Sequence, residues 1–358
     1  MRSISYDIDP GGDIELVLKK PNEQNIVPVE YHFWLRVAAC ERIRFPNPPL
    51  TGKYKALKGL YPDDKNDTEI EVRMRVSSRH LILASRTFEA MLEGPWSEAS
   101  PSSRPLRQIS AEGWDAFALA IVLESIHGRH FKVPQKTNIG LLTRIATIVD
   151  YYQCREAVAL HYDKWIDSVS ESEKLPSMIC SASMMSLYVS WVFRDTDRFE
   201  VLAQNFLNYG TGLSIIETHD LPVNGILSKI DVQRRSLISR VLESLDSLQE
   251  TLVKEGGCEE EQDSSCTAIM LGVLMRERHK LSRSLPPLVA PFEGHTLTQV
   301  LLRVKNLKKP TLPHSKKNPY EKIHHHDMHH PCTIQGRLAP VWDDIENNMF
   351  ILLVNFPS

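Results

Sequence analysis

Residues 70–94 read IEVRMRVSSRHLILASRTFEAMLEG, and a change of period inside this stretch decides the fold. Up to Val76 the period is two, with Ile70, Val72, Met74 and Val76 on one side and Glu71, Arg73 and Arg75 on the other, the pattern of a half-buried strand. From Ser77 the period becomes helical. Leu81, Ala84, Phe88, Met91 and Leu92 share one face of a helix or of two consecutive short ones, with Ser77 and Ser78 as natural caps.

Upstream, Asp13 to Leu18 (DIELVL) follows the turn-forming Asp9-Pro-Gly-Gly and reads as a strand that starts a sheet. Downstream, the turn-rich Pro95–Pro105 (PWSEASPSSRP) predicts a loop, and Leu106–Ile109 a short strand. Ser110 is then the expected cap of a helix that turns Trp114, Phe117, Ile121 and Val122 inward and stops at Gly128. A third helix after Pro134 and Asn138 buries Ile139, Leu142, Ile145, Ala146, Val149 and Tyr152. A fourth runs on through Cys154, Ala157, His161 and Trp165. Strands, a helix pair, a loop and three more helices make an α+β domain at 8–168. Its atypical part is residues 19–69, with YHFWLRVAAC and FPNPPLTG, which read as an insertion of a strand plus a loop or as a translated intron.

Residues 176–358 form a mainly helical module, with helical patterns at Met178–Phe193, Asp197–Tyr209 and Asp231–Lys254. In the last of these Ile238, Val241, Leu245, Leu248 and Leu252 follow 3-4 spacing, which fits a coiled-coil seam or, on only about two heptads, the packing face of a domain helix. A Lys/Pro-rich loop spans Lys305–Lys322, a His/Cys-rich segment ends at Cys332, and Met349–Phe356 is an apolar tail.

At 358 residues, 42% apolar and 24% charged, the chain has the length of two ordinary globular domains. A formal charge of −3 carries no overall nucleic-acid footprint, and no apolar run reaches the ~20 residues that span a bilayer. Six scattered cysteines fit reduced thiols, so an intracellular protein of nucleus or cytoplasm is expected.

The opening GDIELVL, then VRMRVSSRHLILASRTFEAMLEG, the helix Trp114–Ile126 followed by HG, and LLTRIATIVDYYQC resemble a BTB/POZ domain of the type carried by filamentous-fungal proteins. The resemblance implies a fold that binds protein partners: a second copy as homodimer, transcriptional regulators, or a cullin-class ubiquitin-ligase scaffold. Asp13 stands where dimeric members keep an acidic residue, but Ser77 replaces their His at the first helix. Trp96-Ser97-Glu98 falls where cullin-binding members carry an apolar residue, any residue and Glu. An exposed Trp anchoring in a pocket beside an orienting carboxylate gives that pair a physical sense. Trp96 folded back on its own domain is the plainer alternative.

The sequence contains no Gly-rich phosphate loop, no G-x-S-x-G, no HExxH and no CxxC pair, so no enzyme and no required cofactor are expected. Thiolates and imidazole suit a structural zinc ion, and related fungal proteins keep cysteines and a later His/Cys pair in similar order, which selects Cys258, Cys266, His329 and Cys332. Cys266 also begins the apolar run TAIMLGVL and fits a core position. The resulting expectation is a scaffold or adaptor linking a client to a cullin-class ligase, with a dimeric transcriptional or chromatin regulator as the alternative.

Overall fold

The computed structural model describes residues 2–26, 52–57, 60, 70–94, 106–170, 174–175, 179–257, 264–308 and 333–348. Among these are strands β1 (Arg2–Asp7), β2 (Ile14–Lys19), β3 (Ile70–Val76) and β4 (Arg107–Glu112). The helices are α1 (Ser78–Ala84), α2 (Arg86–Glu93), α3 (Ala116–Ile126), α4 (Ile139–Tyr152), α5 (Arg155–Ser168), α6 (Ser181–Phe193), α7 (Thr196–Tyr209), α8 (Asn224–Lys254), α9 (Ser264–Ser282), α10 (Leu297–Lys305) and α11 (Ile334–Asn348). The architecture is α+β and mostly helical, and no described helix is long and apolar enough to cross a membrane. Two compact units are formed, one by the described residues up to Leu202 with Glu217–Asn224, the other by Ala203–Ile216 with the described residues from Gly225.

In the first unit the strands lie in the order β1-β3-β2-β4, with β1 parallel to β3, β2 antiparallel to β3 and β4 parallel to β2. The two-residue period sorts their faces. Ile14, Leu16, Leu18, Val72, Met74, Val76, Ile109 and Ala111 are buried under the helices. On the other face Arg73 donates to Glu15 at 2.9 Å and to the buried Glu71 at 2.6 Å, and Val17 is buried among them. Strand β1 was not anticipated from the sequence. Gly12 makes the entry to β2, since a Cβ there would sit 2.3 Å from the Val76 carbonyl oxygen.

The helix pair predicted after Val76 is α1 and α2, and Ser85 between them caps α2 by accepting from the Phe88 amide at 3.0 Å. Ser110 does not cap the next helix. β4 continues through Ile109 and Ala111, Gly113 turns at φ +81, and Asp115 caps α3, accepting from the Ala118 amide at 2.8 Å with Arg144 at 3.7 Å. Every residue of α3 is buried.

The fourth helix also differs in phase from its reading. Gln153 takes a left-handed conformation and ends α4, so α5 starts afresh and buries Val158, Tyr162, Trp165 and Ile166 rather than Ala157 and His161. Within the insertion, Tyr54, Leu57 and Leu60 are buried, and the Tyr54 ring packs edge-on to Phe117 with centroids 5.0 Å apart. The first unit also takes in α6, which packs on α4.

In the second unit α8 begins at Asn224, earlier than its pattern indicated, and Ile238, Val241, Leu245, Leu248 and Leu252 are all buried. Helices α9, α10 and α11 follow in the same unit. They are held to α8 or to one another by Arg278–Asp246, by Arg337–Glu255 at 2.9 Å and by Lys305–Glu346. The most constrained group is Arg234, fully buried. Its Nε donates to Asp231 at 2.8 Å and its Nη1 to the carbonyls of Phe292 (3.1 Å) and His295 (2.8 Å). Asp231 in turn accepts from the Leu213 amide at 3.2 Å. One ion pair thus ties α8 to two separate loops.

Removing one partner of such a buried pair leaves the other charge unmatched. Arg234→Ala is expected to lower the unfolding free energy by about 3–5 kcal/mol. Arg235→Ala, on the exposed rim of the same carboxylate, should cost less than about 1 kcal/mol. Chemical denaturation of both variants checks this, and equal losses would contradict it.

Candidate functional site

The predicted partner-binding residue Asp13 has a local role. It stands just before β2 and accepts from the Ser78 amide at 2.8 Å and from the Ser78 hydroxyl at 2.7 Å, so it caps α1 from outside the helix. Partial burial works against its charge, but the Ser78 bonds and nearby Arg107 outweigh this and hold the carboxyl below its ordinary range. Ser77 occupies the cap position yet its side chain caps nothing. Its amide instead donates to Nε2 of His127 at 2.9 Å, while Nδ1 of His127 lies 2.7 Å from the Leu123 carbonyl. Nδ1 must therefore carry the proton and Nε2 must accept, which is possible only for the neutral ring. Burial, with His80 beside it, pushes His127 below its ordinary value.

Trp96, Ser97 and Glu98 lie outside the described residues, but the base of their loop is visible. The Gly94 amide closes α2 on the Ala90 carbonyl at 3.0 Å, and Arg107 at the start of β4 donates to the Leu92 carbonyl. The chain therefore leaves α2 and returns to β4 through one clamped point.

A second exposed feature was not foreseen. The short 3-10 turn His130–Lys132 holds Phe131 fully in solvent, and Leu160 on α5 is also exposed. Side chains from two other parts of the chain contact the turn. Tyr54 donates to the Lys132 carbonyl at 2.9 Å, and Nδ1 of His130 lies 2.9 Å from Nε2 of His161. The His161 ring stacks on Trp165, centroids 5.3 Å apart, and Trp165 donates to the Pro134 carbonyl at 2.7 Å. Burial, then His130 and Lys164, push His161 below its ordinary value. A signal for Phe131 exists in the sequence: an aromatic between Gly128 and Pro134 sits in a turn and has no helix face to fill.

A groove of about 430 Å³ opens between the α1–α2 junction and the start of α5, lined among others by Leu83, Arg86, Glu89, Asp150 and Arg155. It sets charges of both signs against apolar side chains. Burial raises Asp150, opposed by the Tyr188 hydroxyl, which donates to it at 3.0 Å. Cys154, next in sequence to lining residues, is pushed up to about 12 by burial and stays a thiol.

Of the predicted zinc ligands, Cys266 is buried in α9, while Cys258, His329 and Cys332 lie outside the described residues. Among the described residues no three His, Cys, Asp or Glu side chains gather in a way that could hold a metal ion.

His127 supplies a pH prediction. Its folded-state value is lowered, so its contribution is fully present above the unfolded value of 6.5 and is lost as pH falls below it. Thermal denaturation between pH 7.5 and 5.5 should show the wild type losing stability. The loss should be smaller in His127→Gln; His161 acts in the same direction in both proteins, so the difference isolates His127.

Comparisons with protein-family models, curated proteins and solved structures return no match for this chain.

Proposed function

We propose that the chain is a non-catalytic protein-interaction module of BTB/POZ kind, acting as a scaffold or adaptor that brings a client to a cullin-class ubiquitin ligase. The observation that carries the reading is apolar surface held out on hydrogen-bonded supports. Phe131 is fully exposed on a turn pinned by Tyr54 and His161, and Leu83 is 88% exposed at the edge of the charged groove. An exposed apolar side chain can anchor a protein partner where its neighbours shield the contact from water. The reading rests as well on the resemblance carried by GDIELVL and LLTRIATIVDYYQC.

In this reading the segment carrying Trp96 and Glu98 engages the scaffold, and its clamped base fixes where the contact is made. The outer face of the sheet carries the ion pairs of Arg73 with Glu15 and Glu71. The client contacts the helical side.

Affinity purification of the tagged full-length chain tests the proposal. The wild type is expected to recover a cullin scaffold, and Trp96→Ala with Glu98→Ala to lose at least about tenfold of it, about 1.4 kcal/mol, with unchanged thermal denaturation. Equal recovery by both proteins removes the loop from the contact, and absence of the scaffold from both ends the adaptor reading.

A further inference from the structure

Three side chains from elsewhere in the first unit bond to the segment His130–Pro134, which carries the exposed Phe131. Tyr54 donates to the Lys132 carbonyl, Trp165 donates to the Pro134 carbonyl, and His161 meets His130. These contacts differ in what pH does to them. The Tyr54 hydroxyl, pushed up to about 12 by burial, keeps its proton near neutrality and in acid. The Trp165 indole is a donor only and does not titrate. The third contact joins two imidazoles, the side chains that change charge between pH 5 and 8.

Nδ1 of His130 and Nε2 of His161 lie 2.9 Å apart, so one ring donates and the other accepts, and the acceptor must be neutral. The pair keeps its bond with no added proton or with one, because an imidazolium still donates to an imidazole. A second proton removes the last acceptor and sets two positive charges face to face. Both steps belong to the pair rather than to either ring.

The surroundings supply no compensation. The charges acting on His161 are those of His130 and, on its own helix, Lys164, and no described carboxylate is among them. Trp165 stacks on the ring and is uncharged. Of the other charges in the turn, Arg129 lies 3.6 Å from Glu124 of α3, and Lys132 is exposed. Burial, His130 and Lys164 hold His161 below its ordinary value, so the second proton enters below pH 6.5.

We propose that the His130–His161 pair is an acid-operated latch, which holds the Phe131 turn against α5 when neutral or singly protonated and lets it go when doubly protonated. Two unit charges at this separation repel enough, even in the dielectric of water, to shift an equilibrium about tenfold. Tyr54 and Trp165 still hold Lys132 and Pro134, so the start of the turn is what is freed, and with it the placement of Phe131. The contribution of the bond is complete above 6.5 and is lost as pH falls below it. As a control on partner binding the latch rests on the reading of Phe131 as a contact. The release of the turn does not.

Hydrogen–deuterium exchange of the full-length chain, followed by mass spectrometry over residues 128–134 at pH 7.5 and 5.0, tests the latch. The Lys132 and Val133 amides, which donate to the Arg129 and His130 carbonyls at 2.9 and 3.2 Å, report on the turn. After correction for the intrinsic pH dependence of exchange, wild-type protection is expected to fall about tenfold at pH 5.0, while α4 keeps its own. In His161→Gln and His130→Asn one member of the pair no longer titrates, and protection should be equal at the two pH values. His127 titrates in all three proteins, so the difference between them isolates the pair. No partner enters the measurement, so its outcome is independent of whether a cullin scaffold is recovered. A wild type equally protected at both pH values, or variants that keep the fall, overturns the proposal.

Discussion

The eleven residues of α3, AFALAIVLESI, are buried on every side, and the first unit is arranged around that requirement. An apolar helix with no wet face must be enclosed. The inner faces of the sheet close it from below, and α4, α5, α1 and the Gly52–Leu57 turn of the insertion close the rest. Its single charge, Glu124, is fully buried and therefore needs matching. Tyr6 of β1 donates to it at 3.4 Å, and Arg129 lies 3.6 Å away while also donating to the Ile8 carbonyl. The edge strand β1 is thus bonded not only to β3 but to the centre of the helical layer.

The second unit solves the same problem with the opposite chemistry. There the organising group is an arginine, Arg234, whose fork reaches carbonyls that a loop rich in proline cannot satisfy by itself. Gly294, at φ +78, donates its amide to the Thr211 carbonyl at 2.7 Å and joins the same two loops. Burying a guanidinium with Asp231 adds little net stability but specifies one arrangement of the chain, because any other leaves a charge unpaired.

The parts legible in sequence were those with a strong local period. β3, α1 and α2 follow their patterns closely because each has one face inside and one outside, and α4 lies where its pattern put it although nearly all of it is buried. β1 was missed although Ile4 and Tyr6 alternate with Ser3, Ser5 and Asp7, since its partner strand begins only at Ile70. α9 has no stripe to detect, and α11 carries Pro340 inside it. For the candidate site, an acidic role for Asp13 was readable, but its partner was not: Ser78 is brought to it by strand register, not by sequence proximity. Phe131 could be located in a turn, yet only the three-dimensional packing of Tyr54 and His161 shows the turn to be fixed.

The bond from Arg107 to the Leu92 carbonyl has an evolutionary consequence. Because the end of α2 and the start of β4 are fastened to each other, their spacing is set by Arg107 and does not depend on how many residues separate Gly94 from Leu106. Between two such fixed points, doubling the number of residues adds only about 0.6 kcal/mol of closure entropy. Insertions and deletions between Gly94 and Leu106 therefore carry a small closure cost, which makes this the stretch of the first unit where relatives can differ most in length.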